Sequence, residues 1–214
     1  MQNELRQAFR FKNLVLLACG LVFMGAGVPL AKIASLGTSP IASIPNVLSL
    51  IFPLSLGVWT ILFMFVCVGL EAIFLRRDFS PANLLQIIPG LFFGVFIDFF
   101  VKTFGFLAPE HYWQKILLTL LSIIVLGFGV FLEVSSNSII MPGEGLAKAV
   151  SVGLKKPFPT AKIGVDSSMV ILAVVIALAV FHSLTGIREG TVLAALVVGK
   201  VVAFFKWALG RFFE

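Results

Sequence analysis

Seven ionisable side chains stand inside stretches that are otherwise apolar: Lys32, Glu71, Asp98, Glu133, Lys148, Asp166 and Lys200. A charge at the centre of a bilayer costs at least about 2.5–3.5 kcal/mol, so each is a candidate for solute binding, ion coupling or pairing. Two of the apolar stretches are also broken, at Leu36-Gly37-Thr38-Ser39-Pro40 and at Ile139-Ile140-Met141-Pro142-Gly143-Glu144-Gly145. A helix that starts within a membrane leaves its first backbone N–H groups unpaired, which is tolerated only against protein, water or ligand. Such an end carries about half a positive elementary charge. Two of them brought together would cradle an anion.

The substrate-binding candidates are therefore Gly37, Thr38, Ser39, Pro40, Met141, Pro142, Gly143, Glu144 and Gly145, with Lys200 as the deepest cation. Lys32, Glu133, Lys148, Asp98 and Asp166 are coupling or ion-pair candidates. Lys32 and Glu133 are matched in particular, because a shift of 102 residues carries Lys32 to Val134, beside Glu133. Glu71, Asp166 and Lys162 fall near a span boundary, where snorkelling or surface pairing accounts for them. Glu144 sits in a first turn, where it can cap its helix, carry a proton or hold a cationic substrate. The competing reading of the breaks is structural: Thr38 and Ser39 cap one helix and Glu144 satisfies the other.

The elements that would position these residues follow from composition. The 214-residue chain is 59% hydrophobic and 12% charged, against a charged fraction near a quarter for soluble domains. It reads as an integral membrane protein with room for about six spans of roughly 20 residues. The net charge of +6 resides in short basic runs at span ends, which indicates topology and no nucleic-acid partner. No HExxH, GxSxG or P-loop occurs, and His111 and His182 fall at span ends, so neither an enzyme nor a metal or other cofactor is expected. Cys19 and Cys67 lie in apolar segments and read as small core residues.

The expected architecture is all-α and polytopic: six transmembrane helices plus two short re-entrant half-helices, arranged as a 3+3 inverted repeat. Residues 1–12 form a basic cytoplasmic arm, with Leu5, Phe9 and Phe11 facing lipid. Residues 13–105 form the first repeat, with a half-helix at 39–52. An outer linker at 106–113 leads to the second repeat at 114–210, with a half-helix at 142–154, and a cytoplasmic tail at 211–214. The 102-residue shift also maps Gly25 onto Gly127, Gly27 onto Gly129 and Pro40 onto Pro142; a shift of 105 maps Gly94 onto Gly199. Three spans per copy is an odd number, so the second copy enters from the opposite face. With both termini cytoplasmic, Arg76, Arg77, Lys155, Lys156, Lys206 and Arg211 fall inside and only Lys102, Lys115 and Arg188 outside, as the positive-inside rule requires.

Gly20-Leu-Val-Phe-Met-Gly25-Ala-Gly27, Ala34-Ser-Leu-Gly37-Thr-Ser-Pro40, Met141-Pro-Gly-Glu-Gly145 and Gly186-Ile-Arg-Glu-Gly-Thr191 resemble the YczE/YitT-like group of bacterial inner-membrane proteins. The resemblance covers nearly the whole chain and implies a multi-pass protein of the bacterial inner membrane, but no set of binding residues. The chain departs from the group's common Trp-Asp pair at Ile41-Ala42.

The function expected on these grounds is a small secondary transporter for a small anionic solute held near the midplane between the two half-helix N-termini. The alternatives are a substrate-binding membrane subunit of a larger transporter and a lipid-carrier flippase. The expected partners are the bilayer, the solute, and either a second copy or another transport subunit.

Overall fold

The computed structural model describes residues 9–212. Met1–Ala8, which carry most of the expected basic arm, and Phe213–Glu214 of the expected tail lie outside the described residues. Among the described residues eight α-helices follow one another: α1 Phe11–Ala34, α2 Pro40–Ile51, α3 Leu56–Leu75, α4 Ile87–Thr103, α5 Tyr112–Ser135, α6 Pro142–Gly153, α7 Phe158–Phe181 and α8 Glu189–Leu209. Six are long and apolar enough to cross a membrane: α1, α3, α4, α5, α7 and α8, with α4 extended by the 3-10 turn before it. The two short ones, α2 and α6, have 12 residues each. At 1.5 Å per residue each is about 18 Å long, short of a hydrocarbon core of about 30 Å.

The helix ends are set by local chemistry. Pro40 and Pro142 stand at the first helical positions of α2 and α6, where a missing N–H costs nothing. The third span begins differently from the simple Ser80-Pro81 start. Ser80 does cap, its Oγ accepting from the Ala82 N–H at 3.3 Å, but Pro81–Gln86 form a 3-10 turn and α4 starts only at Ile87. Pro89 explains the delay: it is tolerated within a first helical turn and obstructs a helix that begins earlier.

At the centre lie α1 and α5. A Cβ on Gly20 would meet Gly129 and Glu133, and one on Gly27 would meet Leu126; Phe23 packs edge-on against Phe128 at 4.9 Å between centroids. Contacts that ascend α1 descend α5, so the two helices are antiparallel. Lipid tails are as apolar as leucine, so close backbone approach of this kind carries the packing in a membrane.

The other helices attach to this pair. α4 lies against α1, with Phe96 over Gly25; α8 lies against α5, with Val201 over Gly127. α2 packs between α3 and α7, and so does α6. The two sides then diverge. α3 and α4 close together until Gly57 and Gly94 leave no room for a Cβ, and Asp98 of α4 accepts from the Ser55 hydroxyl and, at 2.8 Å, from the Gly57 N–H. α7 and α8 scarcely touch, and a Cβ added at Gly164 or Gly199 would meet nothing within 4 Å. Of the two cysteines only Cys67 is core; Cys19 is exposed on α1, because a helix apolar on all sides gives no indication of which face turns outward.

Candidate functional site

The first break places Ser39 at the N-cap of α2 in extended conformation (φ −65°, ψ 156°), but neither Ser39 nor Thr38 supplies the expected side-chain cap. Pro40 has no N–H, and the Ala42 N–H is already bonded to the Ser39 carbonyl at 3.0 Å. The Ser39 hydroxyl is left buried with no partner. No acid stands in the first turn. The break is held instead by the start of α8. The Gly190 N–H donates to the Leu36 carbonyl at 2.7 Å, the Thr38 N–H to Thr191 Oγ1 at 3.0 Å, and Asn46 Nδ2 to the Gly186 carbonyl at 2.9 Å. Gly37 has φ +112°, and a Cβ there would strike Thr191. Glycine is required on both counts.

The second break is held by carboxylates. Glu133, in the last turn of α5 and 4% exposed, turns back so that its Oε1 accepts the N–H of Met141, the N-cap of α6, at 2.9 Å. Its Oε2 is buried without a partner. Glu144, in the first turn of α6, lies 3.4 Å from Lys162 Nζ, which donates to Asp166 Oδ1 at 2.8 Å. Glu144 and Lys162 also act electrostatically on Glu133. Two carboxylates thus share one ammonium, and a third, Glu133, lies within their electrostatic reach. Beneath them, Gly145 rests on Gln86 and Glu71, which would obstruct a Cβ.

The two breaks meet. A Cβ on Gly143, in the first turn of α6, would strike Cδ1 of Ile41, in the first turn of α2. Met141 is buried beside them in the central apolar cluster, with Ile41 packed against it.

Several candidates lie elsewhere. Lys32 and Glu133 do not pair: Lys32 Nζ donates to Ser49 Oγ at 3.3 Å while Glu133 is committed to Met141. Asp98 caps α3. Lys148 is exposed and interacts with Glu71. Lys200 is exposed on α8, nine residues beyond the Thr191 contact, or about 14 Å at 1.5 Å per residue. Glu71 does not snorkel. It is buried and accepts from Asn83 Nδ2 at 2.8 Å and from Gln86 Nε2, because the 3-10 turn folds both amides back over it. Thr191, Gln86, Asn46 and Asn83 are site residues that the motifs in the sequence do not point to. Asn46, Asn83 and Gln86 are polar residues between apolar neighbours, and that is the signal that marks them; Thr191 follows the charged Arg188-Glu189 pair and carries no such signal.

Six long apolar helices and two short ones packed among them, with buried polar groups at the short helices' starts, define a multi-pass membrane protein. Residues 11–207 match the model of a family of unknown function, DUF6198, and the chain belongs to that family. It is similar to the uncharacterized membrane protein YczE of Bacillus subtilis (strain 168), with 28% identity over 209 residues, covering 95% of this chain and 87% of that protein. No solved structure matches.

Proposed function

We propose that the protein is a small secondary transporter built as a 3+3 inverted repeat, with α2 and α6 as re-entrant half-helices whose N-termini meet near the bilayer midplane. The observation that carries this reading is the contact of Ile41 with Gly143, which joins the two helix starts across the molecule. Paired contacts support the repeat. The 102-residue shift turns Gly27 against Leu126 into Gly129 against Met24, and both contacts occur. Shifts of 102 and 105 turn Gly25 against Phe96 into Gly127 against Val201, and both occur as well. The antiparallel α1 and α5 are what inversion requires of the first helix of each copy.

The anionic solute binds at the first break. There a helix N-terminus carries its partial charge with no acid in its own first turn, and the Ser39 hydroxyl is available as a donor. The second N-terminus is already answered by Glu133 and Glu144, so it serves as the coupling element, taking up a proton or cation as the solute moves. Uptake of radiolabelled small anions into proteoliposomes, after thermal-shift selection from a panel, tests this. A ligand at 100 times its Kd stabilises by about 2.7 kcal/mol. Ser39→Ala abolishes that stabilisation, whereas Glu133→Gln leaves binding and abolishes accumulation. Stabilisation unaltered in Ser39→Ala removes the solute from the first break.

α8 favours a second reading, in which the chain is the solute-binding subunit of a larger assembly. Most of α8 faces outward and carries the exposed Lys200 at mid-span. Leaving that charge in lipid costs about 2.5–3.5 kcal/mol, more than the average of about 0.6 kcal/mol that one interhelical hydrogen bond returns. A partner helix bearing an acid would remove the cost. Cross-linking from Val192→Cys and Leu196→Cys in native membranes, with loss of the cross-linked species in Lys200→Leu, distinguishes this assembly from a lone transporter.

A further inference from the structure

A cavity of about 510 Å³ opens between α3 and α7, with Ile44 of α2 and Leu146 of α6 at its floor. It lies apart from the two breaks. Its walls are apolar, with Phe63, Leu70, Phe74, Val150 and Leu172 prominent, and its rim residues Val66 and Leu154 are exposed toward the surrounding lipid. Its polar lining is confined to Lys156, Thr160 and Ser168. Thr160, Gly164 and Ser168 recur every fourth residue, so they form one small-residue face along α7. Lys156 stands just before the start of α7, at the end of this face, and among the described residues its ammonium makes no ion pair.

We propose that this cavity binds an anionic phospholipid from the leaflet that Lys155 and Lys156 face. One acyl chain lies along the Thr160–Ser168 face of α7, and the headgroup phosphate meets Lys156 and Thr160. The polarity of the lining argues for this occupant. An apolar slot with Lys156 and Thr160 at one end complements an amphiphile with one anionic head, and Ser168, two turns further along, spends its hydroxyl on the Val165 carbonyl at 2.7 Å. A soluble anion would leave the apolar walls unmatched, and a neutral chain would leave Lys156 unmatched. The volume falls within the roughly 300–1,000 Å³ of small-molecule sites. The bound chain would touch both short helices at Ile44 and Leu146, bracing them from outside the breaks. The proposal does not depend on the transport reading.

Native mass spectrometry of the purified protein, exchanged into equal amounts of phosphatidylglycerol and phosphatidylcholine with the same acyl chains, tests it. The wild type retains one phosphatidylglycerol in preference to phosphatidylcholine. Lys156→Ala reduces that preference about five-fold, the share of one lysine against an anionic headgroup. Lys155→Ala, outside the cavity lining, leaves the preference intact. A Cβ added at Gly164 meets nothing within 4 Å, so Gly164→Leu enters the cavity without a clash at the backbone, and it lowers retention of both lipids. Equal retention of the two lipids by the wild type, equal loss in the two lysine variants, or undiminished retention in Gly164→Leu would each overturn the proposal.

Discussion

The two breaks share a frame and differ in how they are held. Each is a glycine- and proline-marked start to a 12-residue helix, but the first is gripped by residues from the other half of the chain and the second mainly by residues of its own half. The first is tied by neutral groups, the Leu36 carbonyl, the Thr38 N–H and Asn46, to the start of α8. The second is tied by charge, through Glu133, Glu144, Lys162 and Asp166, and rests on Gln86 and Glu71. The geometry of a helix start is fixed by backbone requirements that glycine and proline meet. The field at that start is fixed by which side chains surround it. Two starts with the same geometry can therefore receive opposite partners, one an anion and the other a proton or cation.

The largest effects should come from the glycines that the two breaks need for different reasons. Gly37→Ala adds a side chain at φ +112° and against Thr191; the backbone strain alone costs about 1–3 kcal/mol. Gly145→Ala has an ordinary helical backbone and suffers only the collision with Gln86 and Glu71. Thermal unfolding in detergent should show both variants destabilised. Adding Gln86→Ala should restore part of the loss in Gly145→Ala and none in Gly37→Ala.

Next in size is Glu133. Replacement by alanine leaves the buried Met141 N–H without an acceptor, at about 1–3 kcal/mol, whereas glutamine keeps the acceptor. The melting temperature should fall in Glu133→Ala and stay near wild type in Glu133→Gln. Equal falls would mean that the charge, not the hydrogen bond, holds the second break.

The smallest effect belongs to the neutral tie. Thr191→Val removes the neutral acceptor for the buried Thr38 N–H and should cost about 1 kcal/mol, the low end for an orphaned buried donor, because the bond lost is not to a charged group. Thr191→Ser should cost less. Salt should leave these variants alone and weaken the second break, where Glu144 and Lys162 are partly exposed.

Much of this arrangement is legible in the chain because its cause is local. Pro40 and Pro142 mark helix starts, the 12-residue lengths follow from where Pro53 and the Lys155-Lys156-Pro157 turn intervene, and the glycines at 25, 27, 127 and 129 fall where α1 and α5 and their neighbours approach. What is not legible is direction. Lys200 is plainly mid-span, but α8 is apolar all round, and nothing in such a helix says that the lysine faces outward. Partners separated by more than a hundred residues are equally hidden. Thr38 with Thr191 and Asn46 with Gly186 depend on how α8 begins beside α2. The expected pairing of Lys32 with Glu133 fails for a related reason. Adjacency under the 102-residue shift relates positions by symmetry, which does not place them in contact.

Disulfide formation between Ile41→Cys and Gly143→Cys, in a background lacking Cys19 and Cys67, tests the meeting of the two helix starts most directly. The account predicts rapid cross-linking in intact membranes, no labelling of either cysteine by an impermeant maleimide from either side, and no cross-link from Leu50→Cys, about 14 Å further along α2. Failure of the first pair to cross-link while both cysteines react with the impermeant reagent would contradict it.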